Sequence, residues 1–369
     1  MRFLMLNWRD PQNPLAGGAE RVTHAYLADL ARRGHEVYWF ANSFPGCQES
    51  EDFDGVHLVR GGGKGTSVLK ARHWYRRQER FDLVIDQHHG IPWYAPFWCR
   101  TNCVSYVHEV LGPIWNAFYP WPINSLGRWQ ERWTQWFYRE VPFWTASQCT
   151  KEILHLHGVK SVTVIPYGVH TVGLPKLDDK ALDTPLRLIV VSRLAPNKRI
   201  DHAIRTLKYL TMNNIPAHLT IVGGGETKPA LQALTEQLQL GNRVTFTGGL
   251  SEAEKDSRLR MSHFLLHTSQ REGWGLNVIE ANAMGTPAAV YPVAGLIEST
   301  LHNQTGIVSE KETPESLAQG LIKILQSPER YQSYRVAALA RARTYHWNNV
   351  LSLSSAWLEA QARGENRRS

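Results

Sequence analysis

Cysteine is scarce in this chain. Only Cys47, Cys99, Cys103 and Cys149 occur among 369 residues, too few and too irregularly spaced for a disulfide framework, and Cys99 and Cys103 do not continue into a zinc pattern. Long apolar runs are missing as well. The start, Met1 to Trp8, is interrupted by polar residues too early for the apolar region of a signal peptide, and no uninterrupted segment is long enough to span a bilayer. These absences point to free thiols in a reducing cytoplasm and argue against secretion. The marks of several chemistries are absent too. There is no Gly-x-Ser-x-Gly elbow, no His-Glu-x-x-His helix and no Gly-Lys-Ser/Thr to complete a P-loop. Asp86-Gln87-His88 lacks the second aspartate with which an Asp-x-Asp pair would hold a divalent metal. Repeats of solenoid length and low-complexity tracts do not occur.

What is present fits a globular protein of two domains, with a net charge of +8 that favours anionic partners. Short apolar runs alternate with helical patterns in both halves: Phe3 to Leu6, Glu36 to Phe40, Leu83 to Asp86, Asn102 to Val107 and Phe143 to Ala146, then Leu186 to Val191, His218 to Val222, Arg243 to Thr247, His263 to His267 and Ala288 to Tyr291. An amphipathic helix is expected over Ala19 to Arg33. The alternation predicts an α/β fold with parallel sheets covered on both faces. Between the halves, Thr171 to Pro185 has no helical or strand period and reads as a linker. The expected organisation is a domain over 1–170, a linker over 171–185, a second domain over 186–345, and a C-terminal helix with a disordered tail over 346–369.

Four constellations carry chemistry. Gly17-Gly18 follows the first strand and enters the first helix, so backbone amides there can face a phosphate. His108-Glu109 closes a strand at its carboxyl end, where a histidine can donate to a sugar hydroxyl or serve in acid/base work. Ser192-Arg193-Leu194-Ala195-Pro196-Asn197-Lys198 follows the first strand of the second half. Arg193 offers a fixed fork and Lys198 a mobile point charge, a suitable clamp for a diphosphate. Finally, Glu272-Gly273-Trp274-Gly275-Leu276 leads into a helix that carries Glu280, eight residues after the first glutamate. A glycine-flanked helix start attracts an anion, and two carboxylates beside it suit hydroxyl groups on either side of a phosphate. Gly224 and the Gly248-Gly249-Leu250 turn are further strand ends able to receive a flat base.

With these residues in view the sequence resembles the retaining glycosyltransferases of family four. That resemblance implies a GT-B architecture: two Rossmann-like domains whose parallel sheets face an interdomain cleft, with the C-terminal helix returning to the N-terminal domain, which takes the acceptor. It implies that Arg193 and Lys198 hold the donor diphosphate, helped by Ser192, Gly18 and the amides of Gly275 and Leu276. Glu280 would take the ribose hydroxyls and Glu272 hydroxyls of the transferred sugar, alongside Gly273 and Trp274. His108 would bond a further sugar hydroxyl, while Leu250 and Lys255 would line the nucleobase with Gly224. The implied reaction keeps the anomeric configuration, needs no metal or other cofactor, and uses the departing diphosphate as base; His108, Glu272, Arg193 and Lys198 carry it. Many relatives have Asn where this chain has Tyr167. A sugar-nucleotide epimerase or a catalytically silent nucleotide-sugar-binding protein is the rival reading.

The acceptor is expected to be a glycan, a lipid-linked molecule or a small molecule, and two stretches of the first half bear on it. Lys64 to Arg80 holds Lys64, Lys70, Arg72, Arg76, Arg77 and Arg80 around Trp74 and Tyr75. Trp115 to Trp144 is crowded with rings, among them Phe118, Trp121, Trp129, Trp133 and Trp136. Such a pairing suits an anionic membrane surface, and a cytoplasmic protein docked on the inner face of the membrane follows from it. It also suits single-stranded nucleic acid, a partner not expected here. The plain alternative is that the helically spaced tryptophans are buried core and the arginines a solvated face.

Overall fold

The computed structural model describes residues 1–63, 65–88, 90–112, 115–169 and 171–365, except the side chains of Ala117 and Phe118; Lys64, the Phe118 ring and tail residues 366–369 thus lie outside the described residues. The chain forms two compact units, Met1–Gly168 with Trp347–Ser369, and Val169–His346.

The first unit carries an eight-stranded sheet. Its strands in chain order are β1 (Arg2–Leu6), β2 (Glu36–Ala41), β3 (Ser50–Phe53), β4 (Val56–Arg60), β5 (Leu83–His88), β6 (Asn102–Val107), β7 (Phe143–Thr145) and β8 (Val162–Val164). The spatial order is β3-β4-β2-β1-β5-β6-β7-β8, parallel except for β3 on β4. β1 and β5 are buried along nearly their whole length, as expected of strands covered on both faces. β3 is a polar edge strand, and its Ser-Glu-Asp-Phe sequence hides it from any apolar pattern. The Trp347–Arg363 helix closes this unit: Ser355 donates to Asp29 (2.7 Å), and Asn102 donates to the carbonyls of Gln361 and Ala362 (3.2 and 3.0 Å).

The second unit is a six-stranded, wholly parallel sheet. Its strands are β9 (Leu186–Val191), β10 (Ala217–Val222), β11 (Val244–Gly248), β12 (Phe264–His267), β13 (Ala288–Val290) and β14 (Gly306–Val308), in the spatial order β11-β10-β9-β12-β13-β14. The strand order reverses between β9 and β12, and such a switch point opens a crevice at the carboxyl ends of the two strands. The segment 171–185 has no regular structure but is anchored. The Lys180 ammonium donates to the carbonyls of Arg260 and Ser262 and to the Thr286 hydroxyl, and Leu174 is buried in the core. Val169 and His346 form a parallel bridge at the two ends of this unit, and on the first unit's side Gly168 lies so close to the Trp347 ring that a Cβ there would sit 2.4 Å from it.

Two observations bear on the basic and aromatic stretches of the first unit. Trp129, Trp133 and Trp136 are not core: all three are exposed on the Ile123–Phe137 helix. Among the described residues of the basic stretch only Ser67–Tyr75 is helical, and Trp74 and Tyr75 pack against the core beneath. Among the described residues no helix is long and apolar enough to cross a membrane.

Candidate active site

The loops after β9 and β12 flank the switch point of the second sheet, and of the sequence-predicted residues Ser192, Arg193, Lys198, Glu272, Gly273, Trp274 and Gly275 lie on them. The β9 loop turns through the short Pro196–Lys198 helix into the Ile200–Met212 helix. It is tied to the β12 loop by the amide of Gln270 on the Asn197 carbonyl (2.9 Å) and by the Thr268 hydroxyl on the Arg199 carbonyl (2.8 Å). Arg199, the third cation of the run, is committed to Glu312 and to the Ser269 carbonyl. Arg193 is different. It is exposed, and among the described residues its guanidinium makes no hydrogen bond or ion pair.

Lys198 reaches Glu272 across the crevice, Nζ to Oε2 2.7 Å, with both side chains about a fifth exposed (20% and 21%). His267, at the end of β12, places Nε2 3.3 Å from the same oxygen. Burial alone would raise the Glu272 carboxyl, but the Lys198 ammonium and the His267 ring outweigh it and hold the group well below the usual carboxylate range. An ammonium carries three donors, so Lys198 has protons left for a ligand anion. His267 was missed in the sequence, although its place at a parallel strand's carboxyl end was a usable signal.

Gly275 stands in the left-handed region (φ 82°) as N-cap of the Leu276–Ala283 helix. A Cβ there would come within 3.0 Å of Leu296 and Ser299, so this glycine both sets the turn and allows the approach. Glycine is required again at Gly295, where a Cβ would meet the Glu272 carbonyl oxygen at 2.5 Å, while the Gly295 amide donates to that oxygen (3.0 Å). Trp274 is buried edge-on against Tyr345, and Gly273 lies directly over Gly295. Asn277, in the first turn of the helix, donates to the Val191 carbonyl at the end of β9 (2.9 Å) and so fixes the helix start to the switch point.

Glu280 follows on this helix. Its Oε2 lies 3.1 Å from Nζ of Lys255, which also pairs with Glu252 (2.5 Å). Lys255 belongs to a helix begun by a Ser251–Glu254 capping box. Burial raises the Glu280 carboxyl and the lysine offsets this only in part; burial also opposes the charge on Lys255, but Glu280 and Glu252 outweigh it. The predicted base-lining lysine is therefore engaged with the predicted ribose-binding glutamate. Leu250 packs partly on the core, the Ser192 hydroxyl bonds the Arg193 carbonyl (3.2 Å), and Gly224 faces open space.

In the first unit the geometry is different. The Gly17 amide is already taken by the carboxylate of Glu20 (2.7 Å), itself paired with Arg9 (3.1 Å), so the amides left to a phosphate begin at Gly18. His108 stands just beyond β6. Gln87 bonds its Nε2 (2.8 Å), and the Tyr167 hydroxyl bonds its Nδ1. With the Gln87 amide donating, the ring proton sits on Nδ1 and goes to the tyrosine oxygen. Both ring nitrogens are thus occupied within the protein, and the substitution of Tyr167 for the family's Asn supplies one of the two bonds. Asp86 is fully buried and accepts from the amides of Trp93 and Ala95 (both 2.9 Å) and from the Tyr138 hydroxyl (2.8 Å), a structural use of the carboxylate.

Comparison with known proteins bears on family and fold. Residues 177–341 match the family described as glycosyl transferases group 1, and residues 16–172 match glycosyltransferase family 4. The chain is 26% identical over 406 aligned positions to a glycogen synthase of Mycobacterium tuberculosis, covering 99% of this chain and 96% of that one. It is 27% identical over 150 positions to a GDP-mannose-dependent alpha-(1-6)-phosphatidylinositol monomannoside mannosyltransferase of the same organism, 39% of each chain. Among solved structures, the sucrose-phosphate synthase of Thermosynechococcus elongatus matches with a TM-score of 0.81 at 17% identity over 99% of both chains. HepE of Anabaena, in complex with UDP-glucose, matches with a TM-score of 0.74 at 17% identity, over 98% of this chain and 100% of that one. Fold and family together define the class: the protein is a glycosyltransferase of the GT-B fold. Within that class the chain belongs to the group 1 transferases of family four.

Proposed function

We propose that this transferase takes a sugar from a UDP- or GDP-type donor and moves it, with retention and without a metal, to a glycan, lipid-linked or small-molecule acceptor in the cytoplasm. The observation that carries the reading is the Lys198–Glu272–His267 cluster at the mouth of the second sheet's switch point, beside the exposed Arg193 and the Gly275 helix start. Arg193, the remaining protons of Lys198 and the amides at Gly275 and Leu276 meet the diphosphate, and charge growing on the leaving group strengthens those bonds in the transition state. As the bond from the anomeric carbon to the diphosphate oxygen breaks, the acceptor oxygen attacks from the same face and its proton passes to the departing phosphate.

Glu272 is assigned to hydroxyls of the transferred sugar rather than to nucleophilic attack. A carboxylate whose charge is already satisfied by Lys198 and His267 has a depressed basicity and is a poor nucleophile. Glu280, steered by Lys255, takes the ribose hydroxyls. His108 takes a sugar hydroxyl at Nε2 in exchange for the Gln87 amide. Incubating the protein with UDP-, GDP- and ADP-sugars and following the products by NMR tests this: release of nucleoside diphosphate with retained configuration is expected. An interconverted donor would show an epimerase, and an unchanged donor that still raises the melting temperature would show a silent binder.

A further inference from the structure

The Ile123–Phe137 helix has its polarity turned inside out. Its buried residues are Gly127, Glu131, Thr134 and Gln135, while Ile123, Leu126, Trp129, Trp133, Trp136 and Phe137 are exposed, Trp129 by 63%. A surface helix of a soluble domain ordinarily buries its apolar stripe. Here the inward face is held by specific polar bonds instead. Glu131 accepts from the amides of Leu111 (2.7 Å) and Gly112 (2.8 Å), and Gln135 bonds His157. The orientation is therefore built in, since turning the helix over would break these bonds.

The outward face is ordered and one-signed. Trp129 and Trp133 stack with centroids 6.0 Å apart, Trp133 meets Phe137 edge-on at 4.0 Å, and the Arg139 guanidinium covers the Trp136 ring at 4.2 Å. Between this face and the neighbouring turn runs an open groove of about 500 Å³ lined by Trp129, Arg132, Trp133, Trp136, Leu156 and His157. Arg128 and Arg132 lie exposed among the rings, and the only carboxylate on the helix, Glu131, is buried. Glu140, just beyond the helix, is paired with Lys160 (2.7 Å). Indole rings interleaved with cations, on a helix with no exposed acid of its own, fit the boundary between phosphate headgroups and acyl chains, where a ring keeps its N–H wet and its body dry.

We propose that this helix docks the protein flat on an anionic lipid bilayer, with Trp129, Trp133 and Trp136 at the headgroup boundary and Arg128 and Arg132 on lipid phosphates. Because Glu131 also holds Leu111 and Gly112, the anchored helix carries the segment that follows His108 and Glu109. The proposal does not depend on which donor or acceptor the enzyme uses.

Flotation of the full chain with vesicles of phosphatidylcholine alone, or with phosphatidylglycerol added, tests it. The protein is expected to float with the anionic vesicles at low salt and to remain at the bottom with the neutral ones. Arg128→Ser and Arg132→Ser each weaken binding about fivefold. Trp129→Ser/Trp133→Ser/Trp136→Ser abolishes it, and brominated lipid quenches indole fluorescence in the unsubstituted protein but not in that variant. Circular dichroism and the melting temperature control for folding; Trp133→Ser alone, expected to bind more weakly, serves should the triple variant misfold. Absence of flotation at low salt, equal binding to both vesicles, or binding unchanged by these substitutions overturns the proposal. A dimer seen by sedimentation and dissolved by the tryptophan substitutions overturns it too, by giving the face to a second copy.

Discussion

The two units hold their candidate residues by different chemistry. Of fourteen tryptophans all but Trp274 belong to the first unit, where His108 is positioned by neutral hydrogen bonds, one accepted from Gln87 and one donated to Tyr167. In the second unit every predicted carboxylate is met by a cation, Glu272 by Lys198 and Glu280 by Lys255. Ion pairs at a switch point are suited to a charged, water-soluble ligand; rings and neutral donors are suited to a partner with little charge or to an interface. Removing charge should therefore be ruinous to turnover in the second unit, whereas substitutions on the outer face of the first should leave turnover and stability nearly unchanged.

Lys198→Ala should show the largest effect, lowering kcat by about 100- to 1,000-fold with the far-UV spectrum unchanged, and Glu272→Gln should lower it at least about tenfold. Near-native turnover in either would remove the electrostatic half of the comparison. Next comes a test of stability. His263 is fully buried, and burial first, then the Arg187 charge, lowers it to about 4, while the Arg187 amide donates to its Nδ1. A base with a lowered folded pKa is protonated more readily when unfolded. Stability is thus intact above about pH 6.5 and falls as pH drops toward 4, by about 2 kcal/mol at pH 5. Urea titration at pH 7 and pH 5 should show this fall in the parent chain and a smaller one in His263→Gln.

Tyr167→Phe leaves the Nδ1 proton of His108 without its acceptor, and a loss of about fivefold in kcat/KM with a shifted pH profile is expected, the size of one ordinary hydrogen bond. An unmoved profile would mean that the tyrosine only fills space. The smallest effect belongs to the outer aromatic face: Trp129→Ser should change stability by no more than about 0.5 kcal/mol in denaturant titration, because its ring is already in water. A larger loss would make that ring part of a packed core after all.

The central strands, the Leu276–Ala283 helix and its capping glycine were legible in the sequence because apolar runs, a Gly-x-Gly flank and a following glycine are local signals. β3, β4, β8 and β14 were not. β3 is a polar edge, and shortness does not account for β8 and β14, since β7 and β13 are also three residues long and were read as strands. Of the site, residue types were legible but partners were not. Lys198 and Glu272 are 74 positions apart and His108 and Tyr167 are 59 apart, so only the folded sheet brings them together. The helical spacing of Trp129, Trp133 and Trp136 was also plain, but spacing reports which residues share a face and is silent on which way that face turns.

The bridge between Val169 and His346 has a practical meaning for the chain as a whole. The second unit is one uninterrupted stretch inserted into the first, entering and leaving at neighbouring backbone positions, while Gly168 and Trp347 are already in contact on the other side of the junction. Residues 169–346 can accordingly be excised as a self-contained piece, and the ends left behind can be rejoined by a short linker. The anchored 171–185 segment travels with the excised piece, through Lys180 and Leu174, so a cut placed in that apparent linker would open the core it was meant to spare.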